Sequence, residues 1–504
     1  MQSSIMTAAI RGMDARTVRV EADVSRGLPA LNIIGLGDTT VKEAALRVRT
    51  AVVASGFDYP VSRITVNLSP AYLPKKGSGF DLPIALAILA CSGQVFDERL
   101  DRTGFIGELS LDGSIEKCRG VLPMVKVLRD AGMRRAVVPA GNIGEAMLVD
   151  GIEVRGAHRL TEVVEWADGK SKLEHARKVN APRADTASRP DYADIKGQEH
   201  VKRAIVIAVA GCHGVLLTGA PGTGKTMIAE RLPYIMPPLT HEEIVELTCI
   251  YSVAGLLGNE METVMERPFR RPDRSVTIPG LLGSGYPPRP GEATLAHRGV
   301  LFLDEIAEMD RGTVDSLRAP IETGSINLFR CGESFRYPAD FMLVAAMNPC
   351  KCGYYGSRKR ECTCSASSIS MYRRRISGAV SDRIDMHLTM TEPEYGQLGE
   401  MSAMSSAEMR ERIEAARNTQ FARYGSPQIL NGRLDDQGVN RWCVLKGEAA
   451  SLMKSIYVSY GLNPRSYNKL RRIARTIADV DGSAQICAPH LAEAVQYRER
   501  ERNE

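Results

Sequence analysis

The chain contains no apolar run long enough to cross a bilayer. Its longest, Leu82 to Cys91, falls short of the roughly 20 residues that a membrane helix needs, so we expect a buried helix there and no membrane partner. The first ten residues lack the basic start and apolar core of a secretory signal. Eleven cysteines fit a reducing compartment, where thiols are mostly unpaired. Together these features predict a cytoplasmic protein.

A large net charge is also missing. The 65 lysines and arginines exceed the 60 acidic residues by only five, so bulk charge alone does not require a nucleic-acid partner. Two local clusters, Arg358-Lys359-Arg360 and Arg373-Arg374-Arg375, are candidates for contact with a polyanion, although short basic runs are more often solvated loops. At 504 residues the chain exceeds one core and predicts about three domains.

The composition along the chain suggests where the domains divide. Residues 169–190 are polar, carry two prolines and have no helical or strand period, which predicts a linker. Residues 1–168 show strand and helix patterns, including a helix over Thr40 to Ser55 that opens with a capping box at Thr40, and indicate a compact α/β domain. Residues 191–395 form a second unit, and 400–504 carry the stripes of a small helical bundle.

A phosphate-binding loop is the strongest motif in the chain. It follows the apolar run Val215-Leu216-Leu217 and precedes a helical pattern, the order of elements that the motif requires. Its glycines let successive N–H groups point at phosphates, Lys225 adds a positive charge, and the Thr226 hydroxyl is a magnesium ligand. The motif therefore predicts ATP binding through Gly219, Ala220, Pro221, Gly222, Thr223, Gly224, Lys225 and Thr226.

Two further apolar runs end in polar residues that suit ATP hydrolysis. Val300 to Leu303 precedes Asp304 and Glu305, and Phe341 to Met347 precedes Asn348. Continuous apolar runs are typical of parallel strands covered on both faces, and ligands bind at the carboxyl ends of such strands. We expect Asp304 on the magnesium side, Glu305 as the activator of water, and Asn348 near the γ-phosphate or that water.

Two arginines are candidates for completing the site. Arg383 follows the Asn348 strand and suits an arginine finger inserted into a neighbouring subunit's nucleotide, although in isolation it is more often a structural ion-pair partner. Arg465 begins a helix in the C-terminal bundle, from which it can reach a γ-phosphate. The finger role requires an oligomer.

Four cysteines form two closely spaced pairs, Cys350 with Cys352 and Cys362 with Cys364. Four thiolates match a tetrahedral structural zinc site, although pairs separated by one residue are tighter than the commoner spacing. The alternative is a reduced loop without metal. Bound zinc is expected to fix a long loop and, through it, the orientation of Arg383.

With these residues assembled, the chain resembles the AAA+ ATPases of the ComM/YifB group, also called magnesium-chelatase-like proteins. In the second unit the resemblance rests on Arg289-Pro290-Gly291-Glu292, the run ending in Asp304-Glu305, and Ile376-Ser377-Gly378 ahead of Asp382-Arg383-Ile384-Asp385. In the first it rests on Val66-Asn67-Leu68, Leu73-Pro74-Lys75 and Gly79 to Leu86. One departure is Asp273-Arg274, where members of the group usually carry paired histidines.

The resemblance implies a fold and a function. The fold is an α/β AAA+ P-loop core with a parallel sheet, preceded by a Lon-protease-like (S5-like) α/β domain and followed by a helical lid. The function is a hexameric ring motor that acts on DNA as a helicase and promotes branch migration in recombination during natural transformation, with recombination proteins as further partners. Arg383 becomes the finger, Arg465 the second sensor, and Ser325 to Arg336 a pore hairpin in which Arg330 and Arg336 touch DNA phosphates.

Two other functions stay open from the sequence. A Lon-like domain suggests an ATP-dependent protease, but Gly79 stands where the nucleophilic serine belongs and Leu122 near the expected lysine, so acyl transfer has no route. Ser78, one position away, leaves a shifted active site as an alternative. The other hypothesis is a motor subunit of a metal chelatase. The I subunit of such a chelatase resembles the AAA+ core of this chain but lacks the first domain.

Overall fold

A computed structural model describes residues 2–75, 77, 79–95, 99–174, 189–258, 261–358, 360–392 and 404–498. The predicted α/β class is confirmed, with a parallel sheet in the core domain and a helical region after it. The long apolar run is a buried helix, as expected. Across the described ranges, no helix has both the length and the apolar character needed to span a membrane.

The first domain is built on a seven-stranded mixed sheet with the order β3-β4-β2-β1-β5-β8-β9. Apolar cores lie on both faces of this sheet: Val137 belongs to the core on one face, whereas Ala136 and Val138, its neighbours in the same strand, belong to the core on the other. The strands are β1 (Gln2–Arg11), β2 (Asp14–Ser25), β3 (Ala30–Ile34), β4 (Arg63–Ser69), β5 (Thr103–Phe105), β8 (Arg135–Pro139) and β9 (Glu153–Ala157), with β6 (Glu108–Leu109) and β7 (Ile115–Glu116) as a separate small hairpin.

The helices of this domain are α1 (Thr39–Ala54), α2 (Asp81–Cys91), α3 (Val121–Asp130), α4 (Ile143–Ala146) and α5 (Leu160–Ala167). The capping box predicted at Thr40 is wrong. The Asp38 side chain caps α1 by accepting a hydrogen bond from Val41 N at 3.0 Å, and an aspartate at that position is an equally good cap. The domain's core extends to Leu173, which is buried against it, so the beginning of the predicted linker contacts the first domain.

The second domain contains a five-stranded sheet in which every neighbouring pair is parallel. Its order is β11 (Phe269–Arg270), β14 (Val300–Leu303), β17 (Met342–Met347), β10 (Val215–Gly219) and β18 (Met386–Met390). The carboxyl ends of β14, β17 and β10 therefore lie side by side at one edge. The described helices around the sheet are α6 (Glu199–Gly211), α7 (Lys225–Glu230), α8 (Leu232–Ile235), α9 (His241–Ala254), α10 (Ile278–Leu282), α11 (Glu292–Leu295), α12 (Arg311–Ser316), α13 (Arg318–Thr323), α14 (Ala366–Arg373) and α15 (Gly378–Ser381).

Two small hairpins project from this domain: β12 (Gly283–Gly285) with β13 (Pro288–Pro290), and β15 (Ser325–Arg330) with β16 (Glu333–Pro338). The second confirms the predicted hairpin. Its turn residues Cys331 and Gly332 both have positive φ, +48° and +79°, as tight hairpin turns require. Its Glu333 forms an ion pair with Arg11, the last residue of β1, at 3.3 Å, so the hairpin contacts the first domain.

The C-terminal region is helical, with α16 (Ser406–Tyr424), α17 (Asp436–Trp442), α18 (Gly447–Ser459), α19 (Pro464–Val480) and α20 (Ala488–Gln496). The predicted capping box of Ser405 and Glu408 is present at the start of α16. Apolar residues of α16 and α19 share one core with α6 of the second domain. The lid is thus packed against the second domain through this shared core rather than through a few surface contacts.

Candidate nucleotide site

The predicted phosphate loop joins the end of β10 to the start of α7. The loop needs glycine at Gly222 and Gly224, where φ is +80° and +89°, because residues with side chains rarely adopt those values. The Lys225 ammonium donates to the carbonyl oxygens of Gly219 and Ala220 at 2.6 and 3.0 Å. An incoming phosphate has to compete with these carbonyls for the same N–H donors.

Asp304, Glu305 and Asn348 lie at the same edge of the sheet, directly after β14 and β17. Lys225 Nζ donates to Asn348 Oδ1 at 3.2 Å. Burial lowers the pKa of Lys225, and the charges of Asp304 and Glu305 oppose that effect, so both acids act electrostatically on the loop lysine. The sheet thus brings together the loop, the two acids and the amide that the sequence predicted as neighbours; Thr226 lies beside Lys225 in the first turn of α7.

Two arginines that the sequence analysis missed contact the acidic pair. Arg271 Nη2 lies 2.6 Å from Asp304 Oδ2, and Arg274 Nη1 lies 3.4 Å from Glu305 Oε2. Arg271 also reaches Glu230 of α7 at 3.5 Å. Both arginines follow β11, whose carboxyl end lies at the edge of the loop and acids. In the sequence, the run Arg270-Arg271 after a short apolar segment is the signal that could have indicated Arg271. Arg274 stands out there only as a departure from the family pattern.

Arg383 and Arg465 lie at the opposite edge of the sheet. Arg383 precedes β18, whose first residue pairs with Val215 at the amino end of β10, while the loop leaves the carboxyl end at Gly219. Strands of this length span about 15 Å. Arg465 joins Arg383 because both guanidinium groups bind the carboxylate of Glu322. Neither arginine therefore lies beside the phosphate loop of its own chain.

The lid is tied to the segment around Arg383 by a buried polar network. His213 lies between Asp385, 3.1 Å from its Nδ1, and Thr476 of α19, 2.8 Å from its Nε2. Lys469 Nζ donates to Ile384 O at 2.8 Å. Burial alone raises the pKa of Asp385, but the hydrogen bond and charge of His213 outweigh it and lower the pKa to about 2. A shift of α19 therefore acts directly on residues 383–385.

The four predicted zinc ligands converge in space. Their Sγ atoms all lie within 4.8 Å of one another. Cys350 lies 3.3 Å from Cys352 and 3.6 Å from Cys362, and the last two lie 3.5 Å apart. Backbone N–H groups of Tyr355 and Cys364 donate to the sulfurs of Cys350 and Cys362 at 3.3 and 3.4 Å. Such bonds stabilise thiolates and orient metal ligands.

The loop that carries these cysteines packs against the phosphate loop. A Cβ on Gly353 would lie 3.0 Å from Pro221 and 4.0 Å from the Asn348 side chain, so glycine permits the close approach. Of the basic clusters near the loop, Arg360 stacks over Tyr354 and Arg373 over Tyr355, with 4.5 and 5.2 Å to the ring centroids. Lys359, in the first cluster, lies outside the described residues.

The β15–β16 hairpin presents exposed side chains that the sequence analysis named only in part. Arg330 and Arg336 are exposed, as phosphate contacts require. Phe329, beside Arg330 at the tip, is 69% exposed. The base of the hairpin is instead buried through Phe335 and Tyr337, so the tip is presented on a rigid support.

The first domain offers little for acyl transfer in its described part. At Gly79, where a nucleophilic serine would stand, an added Cβ would lie 3.6 Å from Cys118 Sγ, and burial raises the pKa of the Cys118 thiol. Leu122, near the expected lysine, is buried. Ser78 lies outside the described residues. Buried Lys75 donates to Pro70 O, which occupies its ammonium group within the domain.

Comparison with known proteins agrees with this architecture. Models of the family described as magnesium chelatase, subunit ChlI, match residues 191–398, with separate models for subunit ChlI at 20–142 and its C-terminal part at 403–498.

Protein YifB of Escherichia coli, described as uncharacterized, is 40% identical over 498 residues, covering 98% of this chain and 97% of its own. Competence protein ComM of Haemophilus influenzae is 39% identical, with 98% and 97% covered. The magnesium-chelatase 67 kDa subunit of Heliobacterium mobile is 31% identical over 192 residues, 32% of this chain and 29% of its own. Full-length similarity to the first two, together with the matched models and the nucleotide-site architecture, means that the chain belongs to the ComM/YifB family of magnesium-chelatase-like AAA+ ATPases.

Proposed function

We propose that this protein is the subunit of a ring-shaped ATPase that couples ATP hydrolysis to movement on DNA. The observation that carries the proposal is the separation of the candidate residues within one chain. The phosphate loop, the acids and Asn348 share one edge of the sheet, while Arg383 and Arg465 share the other. Each chain thus carries a phosphate-binding half and an arginine half of the site, at opposite edges of its sheet. Two neighbouring chains bring the two halves together when they pack head to tail, as subunits of a ring do.

Within the pocket, each residue has a distinct task. The loop N–H groups and Lys225 hold the β- and γ-phosphates, and the oxygens of Thr226 and Asp304 are the donors that magnesium prefers. Bound magnesium neutralises phosphate charge in the transition state. Glu305 orients the attacking water and accepts its proton. Asn348 orients the γ-phosphate, a role supported by its hydrogen bond from Lys225.

The neighbouring subunit supplies the remaining charge. Arg383 acts as the finger and Arg465 as a second cation on the γ-phosphate, and such an arginine accelerates hydrolysis by 10³- to 10⁵-fold in related phosphate chemistry. Since α19 carries Arg465 and also holds residues 384 and 385 through Lys469 and His213, the lid and both arginines move together when a neighbour binds or releases nucleotide.

The DNA part of the proposal rests on the hairpin and on the name of one relative. Arg330 and Arg336 are exposed for phosphate contact, and Phe329 offers a ring for base stacking, the combination that follows a strand without reading its sequence. Competence protein ComM is 39% identical over the full chain. We infer branch migration or unwinding of recombination intermediates in the cytoplasm, in a hexameric ring.

The direct test is ATP turnover of the purified full chain with single-stranded, duplex and branched DNA, beside a Lys225→Ala control. We expect DNA to raise turnover of the wild type, branched DNA most, and Lys225→Ala to stay inactive throughout. Equal turnover with and without every DNA would overturn the DNA assignment. The similarity of residues 191–398 to magnesium chelatase subunits favours a second candidate, a chelatase motor, and turnover raised only by a chelatase partner protein would select it.

We also infer a structural zinc ion at Cys350, Cys352, Cys362 and Cys364. In a tetrahedral site with Zn–S bonds of about 2.3 Å, sulfurs lie about 3.8 Å apart, close to the 3.3–3.6 Å observed between three of them. Backbone hydrogen bonds, chiefly from Tyr354, lower the pKa of Cys352 to about 5. The hydrogen bond from Cys364 N lowers the pKa of Cys362, but burial, followed by hydrogen bonds with the neighbouring thiols, outweighs it and raises the pKa to about 12. One thiolate thus forms readily, whereas ionising the whole cluster needs a cation.

Metal analysis of protein purified without chelators tests this assignment. We expect one zinc per chain and four thiols that react only after the metal is removed. The Cys350→Ser variant should lose the metal, whereas Cys487→Ser, which changes an exposed cysteine far along the chain, should retain it. Four freely titrating thiols with no bound metal would rule the site out.

A further inference from the structure

The carboxylate of Glu322 joins the two arginines that the proposed function assigns to a neighbour's nucleotide. Glu322 lies at the end of α13, and one of its oxygens, Oε1, accepts from Arg383 Nη2 at 2.6 Å and also from Arg465 Nη2. Arg383 comes from the second domain and Arg465 from the lid. No motif marked Glu322 in the sequence, since the three residues lie far apart along the chain.

We propose that Glu322 is the positioning residue that holds Arg383 and Arg465 as a pair directed at the γ-phosphate of the adjoining subunit. The inference rests on the trans arrangement proposed above. It adds the group that makes two separate arginines act as one.

The physical need for such a group is clear from the charges. Two guanidinium groups close to each other repel, and both side chains lose rotational freedom when they are fixed. A single shared oxygen offsets the repulsion and occupies one donor on each arginine. Because a guanidinium has five N–H donors, the bond to Glu322 leaves the half-exposed Arg465 able to bind phosphate oxygens as well. The trio keeps a net charge of about +1, so it still attracts an anion.

The exposures of the three side chains fit this role. The Arg383 side chain is only 4% exposed, whereas Glu322 and Arg465 are 42% and 44% exposed. The buried arginine is therefore the fixed member, and Glu322 holds the more mobile Arg465 to it. Burial raises the pKa of Glu322, but the hydrogen bond and charge of Arg383, followed by the charge of Arg465, lower it overall. The carboxylate is thus ionised throughout the physiological range.

The experiment compares Glu322→Ala with Glu322→Gln and with Glu411→Ala, an exposed glutamate on α16. Misplaced catalytic groups cost up to about a hundredfold in rate. We therefore expect Glu322→Ala to lower kcat tenfold or more, about a hundredfold at the limit, while KM for ATP stays unchanged because the variant's own phosphate loop is at the other edge. Glutamine keeps an acceptor oxygen but loses the charge that offsets the repulsion, so the rate of Glu322→Gln should fall between those of Glu322→Ala and the wild type. Glu411→Ala should match the wild type.

Mixed rings separate positioning from misfolding. Glu322→Ala subunits are mixed with Glu305→Gln subunits, which lack the water activator but keep intact arginines. In an equal mixture, one interface in four joins the intact pocket of a Glu322→Ala subunit to the intact arginines of a Glu305→Gln subunit. Head-to-tail assembly therefore predicts about a quarter of wild-type turnover. Arg383→Ala mixed with Glu305→Gln is the reference for the trans arrangement itself.

The outcomes distinguish a failure of the role proposed for Glu322 from a failure of the trans site itself. Recovery in both mixtures supports Glu322 as the positioning residue. The role of Glu322 is overturned, and the ring motor stands, if Arg383→Ala is rescued but Glu322→Ala behaves in one of two ways. Either Glu322→Ala is fully active alone, or it is inactive and is not rescued by Glu305→Gln. If Arg383→Ala is not rescued either, the trans site fails, and the proposal for Glu322 fails with it.

Discussion

Arg271 offers the sharpest test of the metal side of the pocket. Its guanidinium lies 2.6 Å from Asp304 Oδ2, an oxygen of the carboxylate that we assign to magnesium, and 3.5 Å from the carboxylate of Glu230. Arg271 and magnesium therefore compete for this carboxylate. Arg271→Ala removes that competitor and leaves the carboxylate in place. We therefore predict that the variant binds magnesium more tightly.

The magnitude follows from the exposure of the pair. The side chains of Arg271 and Asp304 are 45% and 23% exposed, and ion pairs near the surface contribute about 0.5–1 kcal/mol. Since 1.4 kcal/mol is a factor of ten, the apparent affinity for magnesium should rise about two- to fivefold. Removing the positive charge of Arg271 also raises the affinity for magnesium, because that charge repels the cation. Arg271→Lys, which keeps the charge without the planar fork, should fall between the wild type and the alanine variant.

The assay is half-maximal activation of ATP turnover as free magnesium is varied at saturating ATP. Arg274→Ala is the matched control, because Arg274 contacts Glu305 rather than Asp304, and its magnesium dependence should stay within a factor of two of the wild type. A weaker magnesium affinity in Arg271→Ala would refute the reasoning. It would mean that Arg271 moves onto the nucleotide and helps to hold it.

Three further predictions test other parts of the molecule. Glu305→Gln should bind ATP with unchanged affinity yet lose at least about a hundredfold in turnover, as measured by equilibrium nucleotide binding and by phosphate release; undiminished turnover would exclude it as the base. Phe329→Ala should reduce DNA stimulation of turnover without changing DNA-free turnover, whereas Leu328, which is buried, is avoided because its loss would weaken the hairpin itself; normal DNA stimulation would remove Phe329 from the DNA contacts. Asp385→Asn should destabilise the protein by about 2–3 kcal/mol, since the lowering of the Asp385 pKa to about 2 favours the ionised, folded form. That stabilisation is complete above the ordinary pKa of about 3.9 and is lost as pH falls towards 2, so the deficit in thermal melting should shrink as pH is lowered from about 4 towards 2; a deficit that stays constant across this range would contradict the assignment.

The sequence predicted one half of the candidate site well because the rule behind it is local. A loop motif and two apolar strands, each followed by a polar residue, are enough to bring Lys225, Asp304 and Asn348 together, since parallel strands end at a common edge. The same argument extends to the helix at Leu82 to Cys91, whereas the hairpin over Ser325 to Arg336 was expected only from the family resemblance. In each case the pattern and the contact lie within one element or between neighbouring strands.

The contacts that the sequence did not predict join distant segments. Arg271 reaches Asp304 across 33 positions, and Glu322 reaches Arg465 across 143. Neither contact follows a spacing rule, because the first depends on the pairing of β11 with β14 and the second on the packing of the lid against the second domain. The cap of α1 is a different kind of miss. Asp38 and Thr40 are both good caps, and the choice between them depends on where the chain enters the helix.

The central claim is that turnover at one subunit depends on arginines from the next. Turnover per subunit, measured from micromolar to low nanomolar protein concentration at saturating ATP and magnesium, tests it most directly. The account predicts a steep fall on dilution as rings dissociate, and uniformly low turnover for Arg383→Ala at every concentration. Turnover per subunit that stays constant down to the monomer would contradict it.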